Sequence, residues 1–83
     1  MKGRRVYPNE KGGLTLVEGD YGFDGDGLFW CRPPGCRPPG SHAGIVEGEG
    51  WTITQHEDGT VSVNPSIDTG EWHGHLIKGE FVK

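Results

Sequence analysis

The sequence predicts an all-β fold, a small barrel or sandwich of about seven short strands stapled by zinc, with no significant helix. Three observations carry that expectation. Sixteen glycines among 83 residues fall so often that no window of about 11 residues holds an apolar stripe at the helical period. Short runs that alternate apolar and polar recur between Gly, Asp and Pro punctuation, as half-buried strands do. Both cysteines and three of the four histidines gather in two groups, in a chain too thinly apolar to hold itself without a staple.

In chain order, Arg4 to Tyr7 reads as a strand stopped by Pro8, because proline removes a ladder donor. Leu14 to Val17 is a second candidate, Leu28 to Trp30 a third, and Gly44 to Val46 a fourth. Between them, Gly19 to Gly27 (GDYGFDGDG) is too glycine-rich for a regular element. Trp51 to Thr54 and Thr60 to Val63 alternate cleanly around Asp58-Gly59, a strong short-range hairpin signal. Glu71 to Ile77 and Glu80 to Val82 flank Lys78-Gly79, again a tight-turn pair. The expected core is Trp30, Trp51, Ile53, Val61, Val63 and Ile77.

Composition sets the limits. The chain is one domain, with residues 1–27 as amino-terminal strands and a Gly/Asp-rich loop and 28–83 as a Cys/His β-module. The longest apolar run is Leu28 to Cys31, far short of the ~20 residues of a membrane span and no core for a signal peptide. Twelve acidic residues against eight basic ones, net −4, argue against nucleic-acid binding. Met1 to Arg5 is locally basic and reads as a solvated edge. Two cysteines without a leader peptide are expected in a reducing compartment, as thiols or metal ligands.

Cys31-Arg32-Pro33-Pro34-Gly35 repeats as Cys36-Arg37-Pro38-Pro39-Gly40. Paired prolines stiffen each unit toward polyproline II, so the repeat reads as a rigid loop that sets the separation of Cys31 and Cys36. Zinc takes four tetrahedral thiolate and imidazole ligands, often two of each, and Cys31, Cys36, His42, His73 and His75 supply that chemistry. His73 and His75 stand two apart on an expected strand and face one way. Three outcomes stay open for these residues: a metal site, a Cys31–Cys36 disulfide, or free thiols with surface histidines.

Other constellations are weaker. Asp20, Asp24 and Asp26 resemble a calcium loop, but twelve-residue windows from Asp20 or Asp24 end at Cys31 or Gly35, not at the closing Glu. A solvated acidic loop is the expectation there. Ser41 beside His42 makes no triad, since catalytic partners are recognised by geometry and not adjacency. A catalytic zinc would draw on Glu71 or Asp68 as general base. Arg32 and Arg37 are candidate phosphate ligands in a small-ligand-sequestering oligomer. Trp30, Trp51 and Trp72 read as core before they read as a binding surface.

Taken in order, Phe29-Trp30-Cys31, Cys36, His42, Trp51-Thr52-Ile53, Asp58 to Ser62, Asn64-Pro65-Ser66-Ile67 and Trp72-His73-Gly74 resemble a family of small phage and bacterial domains of unknown function. Some of its members carry the label ammonia monooxygenase. The resemblance spans about residues 28–83. It implies Cys31, Cys36, His42 and His73 as zinc ligands, with His75 in reserve where an apolar residue is more usual. The chain departs from the pattern in its widened cysteine spacing and in Trp72, where a cysteine is common. The resemblance also implies a phage or mobile-element setting, in host cytoplasm or virion, and no particular reaction. Association of some bacterial members with ubiquitin-like modification genes points to protein interaction. The expected function is therefore a zinc-binding module that binds a phage structural or host protein, or itself, without catalysis.

Overall fold

Glycine-punctuated β runs fold into two four-stranded sheets that share one buried layer. The computed structural model describes residues 1–36, 43–45 and 50–83. The first sheet runs β1 (Arg4–Arg5), β2 (Asp20–Phe23), β3 (Phe29–Cys31) and β4 (Ala43–Ile45), in that order. The second runs β5 (Thr52–Gln55), β6 (Val61–Asp68), β7 (His73–Ile77) and β8 (Glu80–Val82). No helix forms among the described residues, as the glycine spacing predicts. All pairings are antiparallel except β1 with β2, which aligns Arg4 with Asp20 and Arg5 with Tyr21 in parallel.

Both expected hairpins form. β5 turns into β6 at Asp58-Gly59, where the Asp58 carboxylate accepts the Thr60 amide at 3.0 Å. β7 turns into β8 through Lys78 and Gly79, with φ of 47° and 79°. Two successive residues with positive φ match the right-handed twist of the flanking strands.

The first sheet departs from expectation. Leu14 to Val17 forms no strand, whereas the glycine-rich Asp20–Phe23 segment is the strand between β1 and β3. Gly22 is required by close approach: a Cβ there would run into the Val6 carbonyl oxygen. Asp20, expected in a solvated loop, is 2% exposed. Its carboxylate accepts two hydrogen bonds from the Arg4 guanidinium, at 3.0 and 3.1 Å, and one from the Val17 amide at 3.0 Å. Burial of the charge is thus matched by donors, as it must be. The basic amino-terminal run is correspondingly built into the sheet.

The shared core comprises Tyr21, Phe29 and Cys31 from the first sheet, Val61, Val63, Ile67, Leu76 and Phe81 from the second, and Cys36 and Trp72 from connections. Tyr21 and Phe81 meet edge-on across the sheets at 6.3 Å between centroids, and Trp72 meets Phe81 likewise at 5.7 Å. Val61 and Val63 are core as expected, with Trp51 and Ile53 packed against it. Ile77 and Trp30 are not: Ile77 is 52% exposed, and Trp30 alternates outward from buried Phe29 and Cys31. Strand alternation explains both, because Leu76 and Phe29 already take the inward positions.

Residues 1–3 join the two sheets. Lys2 bridges Glu80, and Met1 and Phe81 exchange hydrogen bonds with each other's main chain. The next residues then pair with β2. No helix of the described residues is long and apolar enough to cross a membrane.

Candidate functional site

Strand alternation separates the residues expected to share a metal. Cys31 lies on the inward side of β3 and Cys36 follows the Pro33–Cys36 turn; both are fully buried and neither is in a disulfide among the described residues. The Cys36 Sγ rests 3.3 Å from Thr69 Oγ1. On β7, Gly74 and Leu76 point inward, so His73 and His75 point outward and are exposed. His73 Nε2 sits 3.3 Å from Ser66 Oγ. Among the described residues, no three His, Cys, Asp or Glu side chains converge on a common point that would hold a metal. Of the set implied by the family resemblance, Cys31, Cys36 and His73 are not brought together among the described residues. His42 and Arg37 lie outside the described residues. Of the possible bases, Glu71 and Asp68 are both exposed, and Asp68 Oδ1 accepts the Gly70 amide at 2.8 Å.

A serine–histidine contact occurs elsewhere. His56 Nε2 lies 2.8 Å from Ser62 Oγ, which also accepts the Lys78 amide at 2.8 Å. This hydroxyl ties the two hairpin turns together, a structural use of the pair.

The residues that do come together lie on the outer face of the first sheet. Trp30 and Arg32, two apart along β3 and its extension, line a groove of about 360 Å³. Gly12, Gly13, Leu14, Leu16 and Asp24 complete its lining. The loop that supplies Gly12 and Gly13 is held by local chemistry. Asn9 Oδ1 accepts the amides of Lys11 and Gly13, and Gly25 N–H donates to the Gly12 carbonyl.

Asp24 organises the other side. Its Oδ1 accepts the amides of Asp26 and Leu28 at 2.9 and 3.0 Å, and its Oδ2 accepts the Trp30 indole N–H at 2.9 Å. The indole bond above all, with the amide donors, holds this carboxyl below the usual Asp range against a weaker opposing desolvation. Arg32 Nε donates to the Leu16 carbonyl at 3.1 Å and Nη1 to the Cys36 carbonyl at 3.4 Å. The groove is thus a fixed indole, a cation and two leucines on a hydrogen-bonded frame. Such a surface can hold an apolar side chain against the ring and an anionic group beside the guanidinium.

Of these residues, the sequence marks Arg32 as a ligand-binding candidate, and it reads Leu14 and Leu16 as strand, Asp24 as loop and Trp30 as core. One signal for Trp30 was present. In Phe29-Trp30-Cys31-Arg32, the positions in step with charged Arg32 belong to the outer face.

Compared with protein-family models, with curated proteins and with solved structures, the chain matches none.

Proposed function

We propose that the protein is an interaction module that captures an extended segment of a partner protein in the Trp30–Arg32 groove. The placement of Trp30 carries this reading. In a chain with only three tryptophans, one stands outside the core with its indole N–H held by Asp24. A rigid, oriented aromatic of this kind is the usual anchor of a protein interface. The complementary segment presents an apolar side chain to the ring and a carboxylate toward Arg32. The family resemblance makes a phage structural protein or a host protein the partner class. A small anionic ligand is the second reading, favoured by the same guanidinium in a groove of small-molecule size.

Peptides selected from a random display library against the folded protein test the proposal. They are expected to lose at least tenfold in affinity, about 1.4 kcal/mol, on Trp30→Ala and on Leu14→Ser. Equal binding by both variants and the parent protein would refute it. Displacement of selected peptides by inorganic phosphate or a nucleotide would favour the second reading.

A further inference from the structure

We infer that His73 and His75 form an open, exchangeable site for a divalent transition-metal cation of the zinc class on the outer face of the second sheet. The site stands apart from the buried cysteines and, being on the other sheet, from the Trp30 groove.

The geometry starts with the strand. Residues two apart on β7 project to the same side, with Cβ atoms about 7 Å apart. A single ion with zinc–nitrogen bonds of about 2.0–2.1 Å can bridge imidazoles at that spacing. The neighbouring strand is shaped around them. Val63 pairs with Leu76 and Ile67 with Gly74, so Asn64, Pro65 and Ser66 on β6 stand opposite His75 alone. This irregularity brings the Pro65 carbonyl to His75 Nδ1 and the Ser66 hydroxyl to His73 Nε2. Bulges of this kind re-aim side chains beside functional sites.

The Pro65 contact decides the chemistry of His75. A carbonyl oxygen only accepts, so the ring meets Pro65 through an Nδ1–H donor, which leaves Nε2 as the nitrogen that would face a metal. A backbone carbonyl on one imidazole nitrogen and a metal on the other is the usual outer-shell arrangement of a histidine ligand. On His73 the Ser66 hydroxyl engages one ring nitrogen. Asp68 pairs with His73 in the strand register, and its Oδ1 is engaged by the Gly70 amide, so the two imidazoles alone are the protein ligands. Two imidazoles suit zinc, nickel or copper over calcium or magnesium. The remaining coordination positions fall to water, which makes the site exchangeable and not structural.

Calorimetric titration of the full chain with Zn²⁺, together with Co²⁺ absorption spectra, tests the inference. One ion per chain is expected, with affinity falling at least tenfold in His73→Ala and in His75→Ala and unchanged in His56→Ala. The cobalt spectrum should lack the intense near-ultraviolet charge-transfer band of a thiolate ligand. Unchanged affinity in both β7 variants would overturn the inference, as would no binding by the parent protein. So would a thiolate band abolished by Cys36→Ser. Because both histidines are exposed, their replacement leaves the core intact, and thermal unfolding of each variant verifies this.

Discussion

Replacing Asp20 with Asn separates two roles that the buried carboxylate combines. Asp20 is 2% exposed, whereas the Arg4 side chain that pairs with it is 71% exposed. Three donors converge on the two oxygens: Arg4 Nε, Arg4 Nη2 and the Val17 amide. Asn keeps one oxygen and turns an NH2 group toward a donor, so at least one hydrogen bond is lost and a donor is left facing a donor. Hydrogen bonds to charged groups contribute about 1.5–3 kcal/mol, and an orphaned buried group costs about the same. The Arg4 share is screened by solvent and worth at most about 1 kcal/mol. Asp20→Asn should therefore cost about 2 kcal/mol. That lowers Tm by about 8–16 °C, at roughly 4–8 °C per kcal/mol for a domain of this size. Arg4→Ala should cost no more than about 1 kcal/mol. Urea unfolding of both variants with unchanged m-values would measure the difference. If Arg4→Ala proved as destabilising as Asp20→Asn, the anchoring of the Val17 loop would not be what Asp20 is buried for.

Two further predictions concern the groove and the first sheet. Asp24 holds its proton less tightly in the folded chain than in the unfolded one. Its contribution is thus fully present above the ordinary Asp range, near pH 3.9, and is lost as pH falls through the lower folded value. The Trp30 indole N–H resonance should therefore stay constant down to about pH 4 and shift only below it; Asp24→Asn should abolish that acid-range shift, and a shift centred at higher pH would contradict the assignment. Gly22→Ala drives a Cβ into the Val6 carbonyl and should cost about 1–3 kcal/mol or more, as overpacking does. A calorimetric Tm within a degree of the parent would show that the two segments are not packed as described.

What sequence reasoning captured is what is decided locally. Asp58-Gly59 and Lys78-Gly79 carry their turn preference in two residues, and the flanking strands alternate visibly, so the second sheet was legible. The first sheet depends on contacts distant in the chain. Asp20–Phe23 reads as loop because its glycines and acid are explained only by Val6, Arg4 and Val17. Leu14 to Val17 has strand composition, yet its leucines wall a groove and its backbone joins no ladder. Periodicity marks two faces of a strand without saying which is inner, which is why Trp30 and Ile77, expected in the core, face outward, while Trp72, also read as core, is buried there. Zinc-ligand chemistry and the family resemblance group His73 with the cysteines, whereas Gly74 and Leu76 take the inward positions of β7 and leave both histidines exposed.

The seam made by residues 1–3 gives the fold a kinetic order. The second sheet is a chain of hairpins with short turns, whose closure takes microseconds. The Lys2–Glu80 bridge and the Met1–Phe81 bonds instead join opposite ends of the described chain. They close late, after β8 is in place, because closure entropy must be met before distant contacts reward it. The seam is therefore a late-forming contact that adds to the shared core in coupling the sheets into one cooperative unit. With the core and the seam together, local opening of either sheet draws on the other.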